Sequence, residues 1–179
     1  MPKPTFQHLL PTRADKVVPD RHALVFGINS GTAGTNSAPA REFLRRAAEL
    51  TFGLCQTFTL GEMFDKPAHD VNSLPAKEMA RLVRANAPQV LELVAREKPR
   101  IIFQLGFSCE TLAVETYGLA LDGHAVQRPA STERLLVPYR MDSVPWIVMM
   151  HFGAKSYSHS DARAANDFGW KLLNGVAHD

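Results

Sequence analysis

The sequence predicts an α/β layer fold with a largely parallel sheet, on three observations. Short apolar runs stand at 22–28 (HALVFGI), 100–105 (RIIFQL) and 144–151 (VPWIVMMH). Such unbroken runs suit strands covered on both faces, as in parallel sheets. Between them lie longer segments whose apolar residues recur at helical spacing. Polar or glycine-bearing loops follow the runs, as expected at the carboxyl ends of strands in such folds.

Taken in order, residues 1–21 hold four prolines and read as an irregular arm, with a single domain over 22–179. The first strand, 22–28, leads into a loop at 29–39 rich in Gly, Ser, Thr and Asn. A helix is predicted over 39–54, with Pro39 in its first turn and Phe43, Leu44, Ala47, Leu50 and Leu54 on one face. A short strand near 56–60 sits in an otherwise loop-like stretch. Residues 74–97 are helical, and Pro88 divides them into two helices or kinks one. The strand at 100–105 is followed by a glycine turn and a helix over 108–117 that Ser108 would cap. Residues 118–134 read as a polar loop. RLLVPY at 134–139 is a strand in which Pro138 marks an end or an edge. The last core strand is 144–151, and a closing helix runs over 161–176.

The 179 residues suffice for one domain with a sizeable core. A net charge of +2 is compatible with a nucleic-acid partner without demanding one. Two cysteines, Cys55 and Cys109, cannot build a thiolate-rich metal or iron–sulfur site within one chain, and they suit a reducing compartment. The amino-terminal stretch lacks a signal peptide's apolar core, and no run approaches a membrane span. The expectation is a cytoplasmic monomer with no membrane partner, no metal and no cofactor.

Two strand ends carry unusual polar residues, VFGINSGTAG at 25–34 and MMHFGAKSYSHSDAR at 149–163. In the first, Gly31 and Gly34 are followed by Thr35 and Asn36, with no lysine to reach a triphosphate. The spacing Gly27-Ile28-Asn29-Ser30-Gly31 lacks the close glycine pair of a dinucleotide fingerprint. No G-x-S-x-G elbow supports Ser30 or Ser108 as an acyl-transfer nucleophile. A solvent-facing turn is the plain alternative for this loop. In the second, His151 directly follows a buried strand. There it would donate to an oxygen gaining negative charge, act as general acid or base, or simply cap the strand. His151, His159 and Asp161 match no strong metal pattern. Lys155 and Arg163 are cations that would contact phosphate or merely be solvated. Asp65, His69 and Asp70 form a further polar group, either lining the same cleft or lying exposed.

With both ends in view, the order of segments resembles the uracil-DNA glycosylase superfamily, over roughly residues 22–175. VFGINSG looks like the first motif of its mismatch-specific and thymine-DNA branches. KPRIIFQLGFSCETLA looks like its middle strand and helix, VPWIVMMHFGAKSYS its last core strand and loop, and ARAANDFGWKLLNG its closing helix. The resemblance implies a three-layer α/β/α sandwich around a central, mostly parallel four-stranded sheet. It implies a hydrolase that cleaves the N-glycosidic bond of a damaged or deaminated, uracil-type base. Asn29 would position the attacking water and His151 would stabilise the departing base. Gly27, Ile28, Ser30, Gly31, Phe43, Asp65, Phe152 and Gly153 would line the base pocket. Lys155, Ser156 and Arg163 would touch DNA, single- or double-stranded, or the partner would be a free nucleobase or nucleoside. Such chemistry needs a placed water and a donor at the leaving base, and base flipping to admit the nucleotide.

The sequence also departs from the family pattern. Ser30 stands where a proline is usual, and Phe152 and Gly153 replace the Pro and Ser after His151. Phe43 serves equally as a stacking ring or as helix packing. Asn72 sits late for a base-reading residue. These departures keep two alternatives open: a noncatalytic protein that binds nucleic acid or a protein partner, and a nucleoside hydrolase or transferase.

Overall fold

Strand alternation sorts the buried side chains into two layers, and the helices follow them. The structure, a computed structural model, describes residues 21–29, 38–64, 73–154 and 156–175. The expected amino-terminal arm, 1–21, lies outside them except for Arg21. In β1 (His22–Asn29), Ala23 and Val25 enter one core cluster and Leu24 and Phe26 the other. β3 (Ile101–Leu105) and β7 (Val144–Met149) repeat this: Ile101, Phe103, Ile147 and Met149 on the first side, Ile102, Trp146 and Val148 on the second. All of these side chains are fully buried, so each strand needs cover on both faces. α1 (Ala38–Thr51) and α4 (His159–Leu173) cover the first face with Ala47, Leu50, Ala165 and Phe168. α2 (Ala76–Glu97) and α3 (Glu110–Tyr117) cover the second with Met79, Val83, Val90, Ala113 and Tyr117.

Among the described residues the sheet is mixed and has seven strands, in the order β2-β1-β3-β7-β6-β4, with β5 pairing β6 off that path. β2 (Thr57–Phe64), β1, β3 and β7 run parallel, while β6 (Arg134–Met141), β4 (Ala120–Leu121) and β5 (Val126–Gln127) add antiparallel pairs. The α/β layering expected from the sequence is present. The four-stranded sheet is corrected to seven strands, because β6 pairs antiparallel with β7 and the segment read as a polar loop holds β4 and β5. Two residues each are too few to show a period of two.

Other expectations shift for local reasons. β2 runs to Phe64 and so exceeds the expected short strand. α2 stays one helix through Pro88. The exposed proline forgoes only the bond to the carbonyl of residue 84. Buried Met79, Val83 and Val90 hold both flanks, and the Asn86 side-chain amide donates to the Glu62 and Met63 carbonyls at 3.1 and 3.2 Å. Ser108 does not cap α3, because a 3-10 turn over Phe107–Cys109 intervenes and Cys109 takes the cap position. Pro138 lies inside β6, paired with Ile147. Its carbonyl accepts from the Asp122 amide at 2.9 Å, on the side of the short strands. A strand residue's nitrogen and carbonyl point the same way, so the missing N–H costs β7 nothing. α4 begins at His159, two residues early, because Ser158 and Asp161 form a capping box.

Both thiols are free and buried, Cys55 in the α1/α4 layer and Cys109 in the α2/α3 layer. Burial pushes them up to about 12 and about 11. Among the described residues no helix is long and apolar enough to cross a membrane.

Gly61 of β2 lies against the buried Phe26 ring. A Cβ there would stand 2.5 Å from Phe26 Cε1 and 2.7 Å from Cδ1, and Phe26 stacks at 5.9 Å on Trp146. Gly61→Ala is therefore expected to cost about 1–3 kcal/mol by overpacking. A urea-unfolding midpoint equal to that of the parent would show that the ring moves freely.

Candidate functional site

The sheet order sets a topological switch point at the carboxyl ends of β1 and β3, where sheets of this kind open a crevice. From β1 the chain crosses through α1 to β2 on one side. It then returns through α2 to β3 on the other side of β1. The connections after the neighbours β1 and β3 therefore leave in opposite directions and part above them, and ligands bind at such switch points. β1 ends there at Gly27, Ile28 and Asn29. In the register, Phe26 pairs Gln104, which pairs Val148, so Asn29 and His151 each stand three residues beyond that line. With β3 between them, the strands that lead to them are about 10 Å apart. The sequence-predicted residues Ser30, Gly31, Asp65 and Lys155 lie outside the described residues, as do His69, Asp70 and Asn72.

Phe43 ties the two ends together. Its Cζ lies 3.7 Å from where a Cβ on Gly27 would be. Its ring centre is 6.2 Å from that of His151 and 5.2 Å from that of Phe152. The two readings of Phe43 thus meet in one position: it packs on the core edge and also forms an aromatic wall beside His151. Phe152 is buried behind it and touches Tyr157 at 5.2 Å.

The state of His151 follows from its neighbour. The Gly153 backbone N–H donates to His151 Nδ1 at 2.8 Å. An amide can only donate, so Nδ1 is unprotonated and the neutral ring carries its proton on Nε2. Burial pulls the imidazole below its ordinary value, which favours this neutral form. Among the described residues nothing pairs with Nε2. A side chain at 153 would place its Cβ 3.1 Å from Nδ1, so glycine lets the ring approach the amide.

Arg46 holds the loop from the helix side. Its Nη1 donates to the Phe152 carbonyl, its guanidinium lies 5.3 Å above the Tyr157 ring, and its Nε donates to Glu42 at 2.9 Å. The loop's far end is held by Asp161, which is buried. Asp161 accepts from Arg128 at 2.9 and 3.0 Å and from the Ser158 amide at 2.9 Å. Burial pushes that carboxyl up, but the hydrogen bonds from Arg128 and Ser158 outweigh it and leave the group below its usual value. Ser156 belongs to the same knot, since its Oγ and carbonyl accept from Arg128 at 3.0 and 2.6 Å. Arg163 is exposed on α4. His159 pairs with the buried Glu49 of α1, so His151, His159 and Asp161 do not converge on one point. Among the described residues no group of three metal-ligating side chains forms.

Sequence reasoning passed over Arg46, Arg128 and Glu49. Glu49 had a visible signal, an acidic residue inside the apolar run of α1. Arg46 had only its helical spacing from Glu42, and Arg128 had none.

No family model matches the chain, and no curated protein does. Among solved structures the chain is similar to a crystal structure of a domain of unknown function, DUF1537, from Bordetella bronchiseptica, a domain-swapped dimer with bound citrate. The two are 11% identical at a TM-score of 0.40, over 83% of this chain and only 41% of that one. At that TM-score the likeness carries no argument about fold or ligand. The expected membership of the uracil-DNA glycosylase superfamily is corrected by these findings. No model of such a family matches the chain, and the solved structure named above is a DUF1537 domain, not a glycosylase. DNA repair, base flipping and the other descriptions drawn from that membership are withdrawn with it.

Two predictions follow the geometry. Nitrogen NMR should find His151 as the Nε2–H tautomer, titrating below 6.5. Because the unfolded state then binds more protons, this residue's contribution to stability is fully present above about pH 6.5 and is lost as pH falls through the folded value. An Nδ1–H signal at neutral pH would contradict the assignment. Separately, Asp161→Asn should cost about 1–2 kcal/mol by removing the buried charge that Arg128 grips and weakening the cap of α4, while Arg128 keeps Glu133 at 2.7 Å, measured by chemical denaturation.

Proposed function

We propose that the crevice binds a planar heterocycle bearing a carbonyl oxygen, and that His151 donates through Nε2–H to negative charge on that oxygen. The observation that carries this reading is the Gly153 amide on Nδ1, which fixes the donor nitrogen. A neutral donor held in place by the backbone needs no reorganisation as charge develops. Phe43 supplies the aromatic wall for such a ring. The reaction class that uses this donor is hydrolysis or transfer in which the heterocycle leaves with its electron pair. Release of a nucleobase from its sugar is one such reaction. Asn29 is then the candidate for placing the attacking water, since an amide oxygen can hold water beside a sugar carbon that gains positive charge. A carboxylate's general-base strength is not required where the electrophile is already cationic.

The test titrates isotope-labelled protein with uracil, thymine, hypoxanthine, their nucleosides and a short single-stranded oligonucleotide, while chromatography follows release of free base. Saturable shifts at Gly27 and Gly153 are expected. His151→Phe should weaken binding about 10–100-fold, the worth of one hydrogen bond to a charged acceptor. His151→Gln, which keeps an N–H, should retain part of it. Base release abolished by Asn29→Ala with binding intact supports the catalytic form. Binding without turnover leaves a recognition module. No saturable binding by any compound rejects the reading.

A further inference from the structure

The opposite end of the sheet holds a second cleft, remote from His151. It measures about 450 Å³ and lies where α2 and α4 end beside the starts of β3 and β7. That size falls within the range of small-molecule sites. Its apolar lining includes Val94, Val144, Pro145 and Leu173, and its charged lining is Lys98, Arg100 and Arg140. Among the described residues no acidic side chain lines it.

The three cations are not equivalent. Arg140 is committed, with Nε on Asp122 at 2.8 Å and Nη1 on the Ser143 carbonyl at 3.1 Å. Lys98 and Arg100 are exposed, and neither has an ion pair among the described residues. The backbone holds both close to the cleft. Lys98 ends α2 in the left-handed conformation, with φ of 48° and its N–H on the Val94 carbonyl at 3.0 Å. Pro99 follows and is buried, and the Arg100 amide is fixed on the His22 carbonyl at 2.8 Å. The helix ends oppose an anion, since each carries about half a negative charge at its carboxyl terminus. Two such ends amount to about one charge, against two uncommitted full cations, so the cleft stays positive.

We propose that this cleft binds an amphipathic anion, a soluble carboxylate with an apolar chain of about ten carbons. Its chain lies against Val94, Val144 and Leu173, and its head meets Lys98 and Arg100. The site is independent of the crevice at the other end of the sheet.

The probe is decanoate, used below its micelle-forming concentration and followed by amide shifts in isotope-labelled full-length protein. Decanol and decyltrimethylammonium serve as the neutral and cationic controls. Saturable shifts confined to residues around 94–100 and 140–145 are expected, with decanol at least 10-fold weaker and the cation without effect. The double variant Lys98→Glu/Arg100→Glu should lose binding at least 10-fold. Lys98→Gln/Arg100→Gln should fall between, with thermal unfolding of both matching the parent. Equal binding of decanol and decanoate would overturn the proposal, as would a charge-reversed variant of parental affinity. It also fails if decanoate gives no saturable shifts, or if the chain binds anionic lipid vesicles while ignoring monomeric decanoate.

Discussion

The constraint on which the rest depends is the two-sided burial of β1. Its neighbours β2 and β3 run parallel to it on either side, and its side chains from Ala23 to Phe26 are fully buried. A strand closed on both edges and both faces leaves only its ends accessible. Parallel neighbours require crossovers, and the two crossovers must use opposite faces because β2 and β3 lie on opposite sides. The layer arrangement and the crevice above Asn29 are thus one geometric fact. Gly27, the last small residue of the strand, lets Phe43 close over that end.

Much of this was legible in the sequence, where burial is two-sided and the runs are long. HALVFGI, RIIFQL and VPWIVMMH each became a parallel strand because unbroken apolar character has few other uses at that length. The helix faces were readable for the same reason. The antiparallel margin was not, since β4 and β5 are held by pairing to β6 rather than by any pattern of their own. Pro138 misled because its effect depends on which edge its nitrogen faces, and that is a property of the neighbours.

The site was legible in position but not in state. That His151 stands at a strand end follows from the apolar run before it. Which nitrogen carries its proton follows from Gly153, whose backbone amide no residue pattern announces. The loop's stability draws on partners far away in sequence, with Arg46 on one side and the Arg128–Asp161 pair on the other. The family resemblance was built from four short segments, and each of them describes strand ends and helices common to many layered folds. Their order along the chain follows the α/β layering, and that layering is what the structure bears out.

The two cysteines give the layers separate clocks. Cys55 is sealed beneath α1 and α4, and Cys109 beneath α2 and α3, with the closed sheet between them. Both are fully buried, so neither thiol is reachable until its own layer opens. Peptide-resolved thiol labelling under mild destabilisation then times the departure of each helix pair by itself. Equal rates mean that the sandwich opens as one unit, and unequal rates identify the layer that leaves first.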